Sequence, residues 1–130
     1  MMKVKYALIF DAVVLLVVAV GCFFNMAWVR QMFGIGFAPD TVYLSQLLGA
    51  AVFGLALQNW LVRSVENLEK LRIIILANFI GHGGAALVLL ANKLNGLGDA
   101  TAWLAIGYTA VATLVFGYFL DRPHPTAKHA

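Results

Sequence analysis

Two side chains in this 130-residue chain stand where an ionisable group is unfavourable: His82 and Asp11, both inside long apolar runs. An ionisable group near mid-membrane costs about 2.5–3.5 kcal/mol on insertion scales, so each demands a reason. His82 is flanked by Gly81, Gly83, Gly84, Ala85 and Ala86, which leaves its imidazole on a nearly bare helix surface. Asn78 precedes it by one helical turn and shares its face. That surface suits a flat ring, such as a quinone or a tetrapyrrole, held by a hydrogen bond or a metal bond to a ring nitrogen. It equally suits plain helix packing, with the histidine satisfied by one bond to a neighbouring helix. A bis-histidine haem within the chain is excluded, because His124 and His129 fall in the polar tail.

Asp11 lies about five residues into the first apolar run. One expectation is a carboxylate that snorkels to water or pairs with Lys5, Arg63 or Arg72. The sharper one is a polar pocket shared by Asp11, Asn78 and His82 and continued by Gln58 and Asn59. There a carboxylate beside a histidine can relay protons or poise a base. Asn25, Gln46 and Tyr108 are accounted for by interhelical hydrogen bonds. No phosphate loop, nucleophile elbow, HExxH or dinucleotide fingerprint is present, so no catalytic residue is assigned. Cys22 is the only cysteine, which rules out an intrachain disulfide and a thiolate zinc cage. Met1, Met2, Met26 and Met32 form no metal-binding run, and no metal ligand is assigned.

The elements that position these residues follow from composition. Hydrophobic residues make up 62% and charged ones 12%, with a mean hydropathy of +0.87. A soluble domain has roughly 45–50% and about 25%, so a water-facing globule, a disordered chain and a secreted disulfide scaffold are excluded. The net charge of +3 comes from Lys and Arg confined between apolar runs, which fits membrane flanks and not nucleic acid. Four segments reach the ~20 residues a spanning helix needs, at about 6–29, 43–62, 73–91 and 101–120, within one domain of residues 1–130. Gly34, Gly36, Pro39 and Asp40 break the chain after the first. Residues 63–72 are charged and free of Gly and Pro, so they are expected to extend as helix, with Glu66 and Lys70 paired at i,i+4. Asn95, Gly96 and Gly98 mark a tight turn, and Pro123 and Pro125 end the last helix. Lys3 and Lys5 before a run ending Ala19-Val20-Gly21-Cys22 resemble a lipoprotein cleavage signal. Asp11 within the run and Phe23-Phe24 beyond it favour a retained transmembrane helix.

Orientation follows from the basic residues. Lys3, Lys5, Arg63, Lys70, Arg72, Arg122 and Lys128 fall on one side and Arg30 and Lys93 on the other, which places both termini in the cytoplasm. Trp28, Tyr43 and Trp103 then belt the outer interface and Tyr6, Trp60 and Tyr118 the inner one. Short connections predict an all-α, up-down antiparallel four-helix bundle. Gly49, Ala50 and Gly54, then Gly81 to Ala86, then Gly107, Ala110 and Gly117 are expected to allow close backbone approach.

Residues 33–120 resemble the DoxX-like group of small four-helix bacterial membrane proteins. The likeness runs through Gln46-Leu47-Leu48-Gly49-Ala50, Leu61-Val62-Arg63, His82 in mid-span and Phe116-Gly117-Tyr118-Phe119. It implies that bundle fold and a bacterial inner membrane, and brings no agreed activity or site residue. Composition and topology together point to a non-enzymatic accessory or assembly subunit of a larger inner-membrane complex. Its partners would be the lipid bilayer, other membrane subunits or further copies of itself, and no nucleic acid. The alternative is a site around His82 for a quinone, lipid or tetrapyrrole, with redox or isomerase activity. A homo-oligomeric channel or transporter that depends on Asp11 is the third reading.

Overall fold

The computed structural model describes residues 3–36 and 39–121. They form α1 (Val4–Phe23), α2 (Ala27–Met32), α3 (Pro39–Val62), α4 (Leu68–Leu94) and α5 (Ala102–Leu120), with no strand among the described residues. All but α2 are long and apolar enough to cross a membrane. At 1.5 Å per residue the shortest covers roughly 28 Å, close to the hydrocarbon thickness.

Each long helix buries a narrow stripe at alternating three- and four-residue spacing. On α1 it runs Val4, Leu8, Asp11, Leu15, Ala19 and Cys22, and on α4 Leu71, Ile75, Asn78, His82 and Leu89. On α5 it runs Ala102, Ala105, Thr109, Ala112, Phe116 and Phe119. This is the period that keeps one helix face on a neighbour. The opposite faces are as apolar as the stripes: Ile73 is 78% exposed, Leu114 74% and Leu87 71%. In water such faces would be driven together, whereas hydrocarbon leaves them indifferent.

Helix α1 packs along α3, and α4 along α5. The first contact is close because Gly49 has no side chain: a Cβ there would stand 3.0 Å from Cys22 Cβ and 3.1 Å from the Ala19 carbonyl oxygen. Ser45, one turn before it, donates to the Cys22 carbonyl at 3.1 Å. At one end of the bundle α1, α4 and α5 close into a core of Val4, Leu8, Leu71, Ile75, Ala112, Phe116 and Phe119. Towards the other end residues of all four long helices line a cavity.

Several expected boundaries move. The first span ends at Phe23, not near 29, because Asn25 takes a left-handed φ of 51° and turns the chain back. Helix α2 then returns against α1, with Val29 fully buried on Gly21. Residues 63–72 are not one continuing helix. Helix α3 stops at Val62, and Asn67 starts α4 by accepting from the backbone N–H groups of Glu69 and Lys70 at 2.9 and 3.3 Å. Glu66 thus lies outside the helix and no i,i+4 pair with Lys70 forms. The turn expected at 95–98 is present, with Gly96 and Gly98 at φ 81° and 73°. Gly54, Gly81, Gly84 and Gly107 meet nothing within 4 Å of a Cβ position, so they bring no backbone close. Gly83 and Gly117 do face neighbours, Thr113 and Phe79. Met1, Met2, Arg122, Pro123, His124, Pro125, Lys128 and His129 lie outside the described residues.

Candidate functional site

Where the sequence interrupts its stripes with polar residues, the structure brings them to one point. Asp11 is 2% exposed, far from any snorkelling position, and pairs with none of Lys5, Arg63 and Arg72. It takes donors from three helices instead. The Asn59 amide of α3 donates to Oδ2 at 2.6 Å, His82 Nε2 of α4 lies 3.0 Å from Oδ1, and the Tyr108 hydroxyl of α5 donates to the same Oδ1. Asn59 and Asn78 also exchange two amide hydrogen bonds, at 2.8 and 3.2 Å, and Asn78 bonds back to the Ile74 carbonyl at 3.1 Å. One carboxyl group thereby links all four spans.

The imidazole is held by its rings as well. It lies parallel to Phe116, 5.8 Å between centroids with planes 6° apart, and edge-on to Tyr108 at 5.6 Å. Its second nitrogen, Nδ1, has no hydrogen-bond partner among the described residues. Orientation is therefore fixed by Asp11 and two aromatic rings, while one polar atom keeps its bonding capacity.

Beside this group is a cavity of about 490 Å³. Its polar wall is Asn78, His82, Tyr108 and Thr109; the rest is apolar, including Leu15 and Val18 of α1 and Leu48 and Val52 of α3. A few convergent polar groups in an otherwise apolar space of this size are the usual composition of a small-molecule site. Trp28, Met32 and Phe33, from α2 and the residue after it, also line the cavity. That cap is fastened to the α4–α5 turn. The Asp99 N–H donates to the Gln31 carbonyl at 3.4 Å, and Lys93 Nζ donates to the carbonyls of Gly98 and Asp99 at 3.1 and 2.9 Å. Arg30 Nη2 donates to Thr41 Oγ1 at 2.5 Å, which ties α2 to α3. Asp99 also accepts from the hydroxyl and backbone N–H of Thr101, and those bonds, the hydroxyl first, hold its carboxyl below the ordinary aspartate value.

Of the residues marked from sequence, Asp11, Asn59, Asn78 and His82 meet in one network, and Gly81 lines the cavity beside them. Gln58 does not join: it is half-buried and adjacent positions on a helix point about 100° apart, so it cannot share the direction of Asn59. Gly83 faces Thr113 and Gly84 faces open space, which places both away from the cavity. Gln46 is exposed, and neither it nor Asn25 bonds across helices among the described residues. Tyr108 makes the interhelical hydrogen bond expected of it, and its acceptor is Asp11. Its signal was helical spacing, since Tyr108, Ala112 and Phe116 recur every four residues along the face that meets His82. Because Asp11 engages Nε2, any metal bond from His82 would have to use Nδ1.

Comparison with protein-family profiles, with curated proteins and with solved structures finds no match to this chain.

Proposed function

We propose that this chain is an integral membrane protein that binds an apolar small molecule carrying one hydrogen-bonding head group, of the quinone or lipid type. The head lies against His82 and Tyr108 and the tail extends towards Trp28 and Phe33. The observation that carries the reading is the 490 Å³ apolar cavity with a single polar wall. Asp11 fixes the imidazole of that wall through Nε2. The reading assigns binding and no reaction. The spans are taken as an up-down antiparallel bundle in a bacterial inner membrane with both termini cytoplasmic, which the seven-to-two distribution of basic residues supports. The DoxX-like resemblance belongs to the same proposal, as does assembly with other membrane subunits or a second copy through the exposed apolar faces of α3 and α4.

Extraction of the protein in mild detergent, followed by mass spectrometry of its bound small molecules, tests the reading. Wild type is expected to retain a discrete apolar species that His82→Ala retains less. Equal content in both, with equal thermal stability, would remove His82 from the site.

A further inference from the structure

The protons of the Asp11–His82 pair decide what head group the cavity accepts, an inference that rests on the binding reading above. The charged groups of the elements around the pair are few. Helix α1 carries Lys5 near its start and α5 carries none. Helix α3 carries Asp40 at its start, and α4 carries Glu69, Lys70, Arg72 and Lys93 in its terminal turns. Among the described residues Asp11 has no ion-pair partner except His82. An aspartate anion beside a neutral histidine would therefore place an uncompensated negative charge in the bilayer interior. Two neutral donors, Tyr108 and Asn59, do not offset a cost of that kind, and buried groups of this sort neutralise instead.

Three arrangements leave the pair neutral, but one of them puts the Asp11 proton on Oδ2, where it would face the Asn59 amide donor at 2.6 Å, so two remain. In one, Asp11 is ionised and the imidazole is protonated on both nitrogens. In the other, the Asp11 carboxyl donates its proton to Nε2 and the neutral imidazole carries its hydrogen on Nδ1. They differ only in which side of the 3.0 Å contact holds the shared proton. In both, Nδ1 bears a hydrogen. Nδ1 is also the ring atom without a partner among the described residues, on a side chain that lines the cavity.

We infer that His82 presents an N–H donor to the cavity, so that the ligand head is a hydrogen-bond acceptor: a carbonyl compound such as a quinone, a ketone or an ester. A head able only to donate would meet hydrogen with hydrogen. The Asn78 and Tyr108 groups do not change this, since their own donors are spent on Ile74, Asn59 and Asp11.

The test uses 2-decyl-1,4-benzoquinone and decylbenzene, which share a six-carbon ring skeleton and the tail, and of which only the first carries carbonyl acceptors. Binding of each is read from thermal unfolding of the full chain in lipid nanodiscs at rising probe concentration. Wild type should favour the quinone over decylbenzene, and His82→Phe, which keeps a ring against Phe116, should lose about three- to tenfold of that preference. Taking the ratio of the two variants cancels partition of the probes into lipid. A second measurement needs no change at His82. With ¹⁵N-histidine in a His124→Gln/His129→Gln chain, the only labelled ring is His82, and its Nδ1 should show a directly bonded proton. If both probes bind without preference, or Nδ1 is bare, the inference is overturned while the binding reading stands. If neither probe binds, both fall together.

Discussion

Replacing Asp11 by alanine isolates what the carboxyl group does for the fold. Two polar groups lose their partner outright, the Tyr108 hydroxyl and His82 Nε2. Asn59 loses its 2.6 Å bond but keeps Asn78 at 3.2 Å. A buried donor or acceptor left unsatisfied costs about 1–3 kcal/mol, so two give roughly 2–6 kcal/mol. Helices separated within a membrane still find polar partners, and interhelical bonds there average about 0.6 kcal/mol, which moves the expectation to the low end. We expect Asp11→Ala to lose about 2 kcal/mol relative to wild type. The triple variant Asp11→Ala/His82→Phe/Tyr108→Phe removes the stranded groups as well and should recover most of that loss. The assay is reversible unfolding in mixed micelles with increasing dodecyl sulfate, followed by far-ultraviolet circular dichroism. An Asp11→Ala change within about 0.5 kcal/mol of wild type, or a triple variant less stable than the single one, would refute the hub role of the carboxyl group.

Two further outcomes concern the cap. An alanine Cβ at Gly21 would stand 2.3 Å from Val29 Cγ2 and 3.2 Å from the Trp28 ring, so Gly21→Ala should displace α2 and cost about 1–3 kcal/mol, read as a lower melting temperature and faster proteolysis after residue 24. Gly84→Ala, which meets nothing within 4 Å, should gain up to about 1 kcal/mol from helix propensity and serves as the control. Because the folded-state value of Asp99 is depressed, its contribution is present above the ordinary aspartate value of 3.8 and is lost as pH falls through the folded value. Trp103 fluorescence should therefore change on acidification below that point in wild type and change less in Asp99→Asn.

How much of this was legible in the sequence depended on contrast. Asp11, Asn59, Asn78 and His82 were conspicuous because polar side chains in apolar runs have few explanations, and all four meet. Tyr108 was not, since a tyrosine in a spanning helix looks the same whether it faces lipid, an interface or a buried acid. The four spans were visible from hydropathy, but the break after Phe23 was not, because Phe24, Met26, Ala27 and Trp28 continue the apolar run and only Asn25 signals a left-handed turn. Gln58 and Asn59 are indistinguishable in composition and differ only in helical phase. Phase is fixed by packing against α1 and α4, which one sequence does not display. The cavity itself had no sequence signature, for its lining is the same Val, Leu and Ala that fills the core at the other end.

The most direct measurement is the small-molecule content of the native protein against a variant whose cavity is filled. Ala85 lines the cavity and takes no part in the Asp11 network, so Ala85→Phe should occupy the space without stranding a polar group. Both proteins are extracted from the same membranes and compared by mass spectrometry at equal bulk-lipid content. One apolar, acceptor-bearing species should be near equimolar with the wild-type chain and depleted in Ala85→Phe. The same species at the same level in both would contradict the binding reading.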